Sequence, residues 1–413
     1  MQRVRMSLPY FEEFGWEVEV VSVEQRHSDF NKDKFLTEAL PFNLQLHAVN
    51  AFSKKLTSKI GLGSIAIRSL WYYKEKVNFL LETKKFDCIY FSTTQFPVCI
   101  LGAYWKKKYK IPYVIDMQDP WHSDYYKDKP KNERPPKYWF AYNLNKILEP
   151  IALKSVDGLI SVSEAYISTL KKRYPVIQDI PSSTITFGAF AKDFEIANKH
   201  EKELPSAIKR NPGEISIVYV GRGGKDMHPA VKLFFNAFKE GLDTHPEVFK
   251  DFKMYFIGTS YAAAGEGKQT IKPLAKQLDL DQFVEERTDR ISFYQTLNTL
   301  RTANVLFIPG SDDPQYTASK IYPYLMAERP LISIFHPASS AAKIIKDCET
   351  GLSLTFGMEE ATLREEIKTY LTLIATGKVQ AKPPKKAVFE EYSAKTMTKK
   401  QVELFEQVLQ KRL

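Results

Sequence analysis

Cysteine is scarce in this sequence of 413 residues, where only Cys88, Cys99 and Cys348 occur. They are far apart, make no CxxC or Cys/His ligand pattern and sit in or beside apolar runs. That pattern gives no disulfide framework and reads as reduced packing residues of a cytoplasmic protein. Long apolar runs are absent too: none approaches the ~18–20 residues that cross a bilayer. Met1-Gln2-Arg3-Val4-Arg5 leads into no signal-peptide core. There is no Walker A loop, no clean GxGxxG and no clustered Asp/His set, so no motif of the sequence calls for a metal or a cofactor. No nucleic-acid module accompanies the basic charge, and nucleic acid is not an expected partner.

What is present is an ordinary globular balance, 44% hydrophobic and 26% charged, over a length that predicts two domains. Lys and Arg number 59 against 49 Asp and Glu, a formal charge of +10. The cations crowd the first half, at Lys54-Lys55, Lys106-Lys107-Lys108 and from Lys127 to Lys137, where Trp71, Tyr72, Tyr73, Trp105 and Tyr109 interleave with them. This suits anionic lipid headgroups or an acidic acceptor, hence a cytoplasmic protein held peripherally on the membrane face. Solvated helix faces over buried aromatics would look the same, and both readings stand.

Short β-rich runs alternate with helix-length amphipathic segments. In the first half they are Val18 to Val23, Leu44 to Leu46, Cys88 to Phe91, Tyr113 to Asp116, Leu159 to Val162 and Thr184 to Phe187. A polar stretch from Ala191 to Pro212 reads as a linker, and a second series follows at Ile215 to Val220, Met254 to Ile257, Val305 to Ile308, Leu331 to Phe335 and Leu352 to Phe356. The pattern predicts an α/β protein of two doubly wound, Rossmann-like domains facing a central cleft. The domains are 1–190 and 213–386, with 191–212 as linker and 387–413 as a closing segment. Val4, Leu8 and Phe11 fall at helical spacing before Gly15, so the chain opens on a helix where such a domain should open on a strand. The expectation is a first strand missing from the sequence as given, and a gap or irregular edge beside Val18 to Val23.

The segment closest to chemistry is Ile217-Val218-Tyr219-Val220-Gly221-Arg222-Gly223-Gly224-Lys225, which runs into an amphipathic helix with Val231, Phe234, Phe235 and Phe238. Gly221, Gly223 and Gly224 let a backbone approach a phosphate, the helix N-terminus offers free N–H groups, and Arg222 and Lys225 add charge. A structural turn gives the same glycines. A second strand ends at Ile308-Pro309-Gly310 before Gln315-Tyr316-Thr317-Ala318-Ser319-Lys320. There Thr317 or Ser319 can cap a helix that carries Lys320 in its first turn. Two such termini in one domain favour a nucleotide.

These blocks, with Phe86 to Tyr90, Ile111 to Trp121, Val156 to Ser163, Ala303 to Ile308 and Ser319 to Leu331, resemble the retaining GT-B glycosyltransferases of family four over nearly the whole chain. The resemblance implies an N-terminal acceptor domain, a C-terminal nucleotide-sugar domain and a last helix, Phe389 to Leu409, that crosses back to the first domain. It places Arg222 and Lys225 on the donor diphosphate, with Gln315, Tyr316, Thr317, Ser319 and Lys320 as further donor contacts. Gln315 and Pro323 stand where the family usually has two glutamates that hold the donor ribose. On the acceptor side it offers Asp116, Asp119, Trp121 and His122, with Asp119 the candidate to contact the acceptor or help move its proton. Three activities fit: transfer of a sugar from a nucleotide-sugar to a glycan or lipid-linked glycan, retaining and metal-independent; a silent paralogue that binds nucleotide or glycan; and a sugar-nucleotide epimerase.

Overall fold

The computed structural model describes residues 2–27, 33–124, 126–127, 129–131, 134, 138–312 and 320–411. It divides into two compact units, Met1–Gly188 with Ala394–Leu413, and Ala189–Ser393. Each is a parallel α/β body.

In the first unit, strands β1 (Glu19–Val23) and β2 (Gln45–Val49) pair with each other, apart from a four-stranded sheet of β3 (Ile89–Ser92), β4 (Tyr113–Met117), β5 (Gly158–Ser161) and β6 (Ser182–Thr184), in that order. Among the described residues no ladder joins the pair β1–β2 to the four-stranded sheet. Alternation along β4 and β5 sends side chains to two cores. Tyr113, Ile115 and Leu159 join Trp105, Phe91 and Leu153 on one face. Val114 and Ile160 meet Leu8, Phe11, Met397, Val402, Phe405 and Val408 on the other. The helix Ala394–Gln410 supplies the last four of these. Gly158 admits it: a Cβ there would lie 2.8 Å from Val408. Phe405 meets Trp16 at 5.3 Å and Tyr90 at 5.1 Å between ring centres. Burying a side chain of this size contributes about 1.5–3 kcal/mol.

The chain opens on the helix Gln2–Ser7 and short 3-10 turns that close at Gly15, whose φ of +77° is the left-handed cap expected there. Arg3 carries that helix into the interior. Its guanidinium lies 2.7 Å from Asp116 and donates to the carbonyls of Ile185 at 2.6 Å and Thr186 at 2.9 Å.

The second unit holds six parallel strands ordered β12-β11-β10-β7-β8-β9: β7 Ile215–Val220, β8 Phe252–Ile257, β9 Val284–Arg287, β10 Val305–Pro309, β11 Leu331–Phe335 and β12 Leu352–Thr355. β10 and β11 are buried along their whole length and β7 over all but its first residue, which is why they read as near-continuous apolar runs. The helix His228–Thr244 covers one face, with Phe234 stacked on Phe307 at 4.3 Å. β7 and β8 run one way across the sheet and β10 begins the other way, so the strand order reverses between β7 and β10. Such a switch point opens a crevice at the strand C-termini where ligands bind in open α/β sheets.

Two expectations need correction. The stretch 191–212 is no free linker, since Ala191–Lys199 is a helix belonging to the second unit. Tyr294 donates to its Asp193 at 3.2 Å, and Asn298 donates to the carbonyl of Leu204 at 2.9 Å. The segment from Phe389 to Leu409 is not one helix either. Lys386–Glu390 ends within the second unit, and a new helix starts at Ala394 in the first.

Candidate functional site

At the switch point the loop after β7 begins with Gly221, whose N–H donates to Ile257 at 2.8 Å. The loop after β10 meets it: the N–H of Asp312 donates to the carbonyl of Asp226 at 3.0 Å. Tyr324, on the helix Ile321–Met326, accepts from the N–H of Val220 at 2.8 Å and ties that helix to the end of β7. Three segments distant in sequence thus converge on one crevice.

Lys320 is the residue placed most tellingly. A Cβ at Gly221 would meet its ammonium and, 2.7 Å away, the Tyr219 ring, which is less free to move, so glycine leaves room for both side chains. The Nζ is buried, has no hydrogen-bond partner among the described residues and lies 5.7 Å from the centre of the Tyr219 ring. Burial, reinforced by Arg222 and then Arg290, pushes its pKa down to about 8. An amine held without a counter-ion among cations is poised to accept an anion.

Arg222 is committed within the protein, donating in fork geometry to both carboxylate oxygens of Asp226 at 2.7 and 2.6 Å. Although burial works against it, that pair, with Ser311, holds the Asp226 carboxyl below its usual range. Gly224 leaves room for the pair, since a Cβ there would strike both partners. Gly223 donates its N–H to Thr259 at 2.8 Å and accepts from the Thr270 hydroxyl at 2.7 Å. Lys225 is exposed, with no ion pair among the described residues. Gln315, Tyr316, Thr317 and Ser319 lie outside the described residues. Pro323 sits inside the helix Ile321–Met326.

Sequence reasoning missed Asp226, Arg290 and Glu286. Arg290 follows β9 and stands 4.4 Å over the Tyr261 ring. Glu286, in β9, accepts the backbone N–H groups of Thr270, Ile271 and Lys272 at 2.8–3.1 Å and fixes the loop that holds Gly223. The dipeptide Asp226-Met227 carries no motif, and the polar run Val-Glu-Glu-Arg was not read as a strand.

In the first unit three of the four acceptor-side candidates belong to the interior. Asp116 is fully buried, paired with Arg3, and accepts from Ser92 at 2.8 Å, Gln118 at 2.8 Å and Tyr90 at 3.2 Å. Trp121 is buried, stacks on Phe96 at 5.5 Å and donates to Asn145 at 3.1 Å. His122 is buried beside Tyr142, and its backbone N–H donates to Glu149 at 2.9 Å. Burial, then the neighbouring Arg173, lowers its pKa, so the ring is neutral at pH 7. Only Asp119 reaches the surface, at the C-terminal end of β4, and desolvation by the surrounding protein raises its carboxyl above the ordinary value.

No protein-family model and no curated protein matches the sequence. Solved structures do. Sucrose-phosphate synthase from Thermosynechococcus elongatus is similar over 98% of this chain and 92% of its own, at 15% identity and TM-score 0.60. The N-terminal domain of Candida albicans trehalose-6-phosphate phosphatase gives 98%, 92%, 12% and 0.60. Anabaena HepE in complex with UDP and glucose gives 98%, 94%, 13% and 0.56. At such identities the likeness establishes the fold, and that fold is GT-B.

Proposed function

We propose that this GT-B chain is a glycosyltransferase that moves a sugar from a nucleoside-diphosphate sugar to a glycan or lipid-linked glycan, peripherally at a membrane, with retention and without a metal. The observation that carries the reading is the buried ammonium of Lys320 at the switch point of the second unit, which has no partner among the described residues. A diphosphate is the ligand that offers such a cation a charge-assisted hydrogen bond. As the donor bond breaks, negative charge grows on the departing phosphate, and a positioned cation stabilises that state more than the ground state. Arg222, fixed by Asp226, adds positive potential, with Lys225 and the glycine-rich backbone beside it. Asp119 contacts the acceptor. HepE, of similar fold, was solved with UDP and glucose, which supports a nucleotide-sugar donor.

The test is titration with a panel of nucleoside diphosphates, then turnover of the matching sugars read as released diphosphate. Lys320→Ala is expected to weaken diphosphate binding about 10–100-fold, the range for a hydrogen bond to a charged group, ~1.5–3 kcal/mol. Equal binding in Lys320→Ala overturns the donor site. Binding without turnover of any sugar makes the chain a nucleotide-binding paralogue, a reading that Pro323 in place of the ribose glutamate favours.

A further inference from the structure

One face of the first unit is unlike the rest of its surface. From Ala39 to Lys74 the sequence holds no aspartate or glutamate. The short helix Lys54–Thr57 and the turn Ser58–Ile60 fall in that stretch and expose Lys54, Lys55 and Lys59. Large apolar side chains stand in solvent beside them: Leu56 is 69% exposed, Trp71 53% and Phe52 47%.

These are not strays on a loose loop. The N–H of Phe52 donates to the carbonyl of Arg68 at 3.0 Å, Arg68 returns a bond to the carbonyl of Phe52 at 2.8 Å, and the Phe52 ring lies 6.4 Å from Trp71. On the other side Gly61 lies against the ring of Phe140, 3.5 Å from where its Cβ would be. Phe140 opens a stripe on the helix Tyr138–Leu153, with Ile147 and Ile151 at helical spacing, all exposed. The opposite side of that helix buries Tyr142, Glu149 and Leu153.

Lys106 and Lys108 are engaged elsewhere, and much of the stretch from Lys127 to Lys137 lies outside the described residues. Lys106 pairs with Asp157 at 2.6 Å and Lys108 with Glu82 at 3.1 Å, and Trp105 is a core residue. Charge and exposed apolar area coincide at the Phe52–Phe140 face.

We propose that this face seats the first unit on an anionic lipid surface, with Lys55 and Lys59 at the headgroup phosphates and Phe52, Leu56 and Trp71 entering the interfacial layer. The inference rests on the membrane clause of the proposed function and gives that clause a surface. A soluble polyanion would neutralise the lysines and leave the apolar side chains wet. A second copy of the chain, packed through the same patch, would bring like charges together. A lipid surface satisfies both components at once.

The experiment is co-sedimentation of the full chain with vesicles of phosphatidylcholine alone and of phosphatidylcholine with phosphatidylglycerol. The chain is expected to bind the mixed vesicles, to leave them as salt is raised, and to ignore phosphatidylcholine alone. K55Q/K59Q should lower the partition coefficient roughly 30-fold. L56S/W71S should lower it while the melting temperature and the salt dependence stay as they are. Equal binding to both vesicle types, or equal partition of K55Q/K59Q and the parent chain, overturns the proposal. So does a dimer in solution that L56S/W71S converts to monomer. Diphosphate titration of the same preparations without vesicles separates the two readings. Vesicle binding kept with no diphosphate binding sinks the donor site alone, and the converse sinks the lipid surface alone.

Discussion

At the scale of single residues, Arg3 and Asp116 form the most deeply buried ion pair among the described residues, with both side chains almost wholly out of water. Breaking such a pair from one side strands a charge, at a cost of about 3–5 kcal/mol. Arg3→Met and Asp116→Asn should each lower stability by that order, measured by denaturant unfolding. A loss under about 1 kcal/mol would mean that water reaches the pair. Lys320 behaves oppositely. Its folded pKa, about 8 against an ordinary 10.5, lies below the unfolded one, so between those values the unfolded chain binds more protons. Stability therefore rises from pH 8 to 10.5, and below pH 8 the fold carries the full penalty. Lys320→Met should stabilise the protein at pH 7 by about 3 kcal/mol. Diphosphate affinity of the parent chain should fall as pH climbs through 8. The sequence put Lys320 and Gly221 among the donor-side candidates, because each sits in a block that resembles the family, and the structure places them against each other. It could not show that Asp116 was spent on Arg3, since nothing in the local pattern of either residue points to the other. A carboxylate after a strand looks the same whether it faces a ligand or a buried guanidinium.

Among elements, the legible strands were those with one physical reason to be apolar. β7, β10 and β11 are covered on both faces, and their sequences say so. β9 was illegible because its buried Glu286 is satisfied by backbone N–H groups of a loop, a solution that leaves no hydrophobic trace. The helix Ala191–Lys199 hid for a related reason. Only Asp193, Ile196 and Ala197 are buried, so composition made it look like a tether. The pair β1–β2 stands apart from β3–β6, with every β1 residue only half-buried while β4 is buried throughout. Its amides rely on one short ladder and on side-chain packing. Hydrogen exchange should find Val20 to Val23 exchanging on the order of 100-fold faster than Val114 to Met117. Equal protection would show that the two sheets open as one cooperative block.

At the scale of the molecule the units differ in how the chain supplies them. The second is contiguous, Ala189–Ser393, while the first needs both ends of the sequence. A fragment of residues 189–393 is expected to fold alone and to keep diphosphate binding, checked by its thermal transition and by titration. A chain ending at residue 393 should lose the first unit's native packing, because Met397, Val402, Phe405 and Val408 leave its core. That placement of the last helix has a temporal side. A ribosome delivers residues 1–188 first, yet the helix beneath β4 and β5 emerges only after the whole second unit. At bacterial to eukaryotic elongation rates the intervening stretch takes roughly 10–40 s to synthesise. During that interval the unit translated first waits with half a core open, while the unit translated second can already close. Order of birth and order of completion are inverted, and protease pulses on stalled nascent chains should find the later unit resistant before the earlier one.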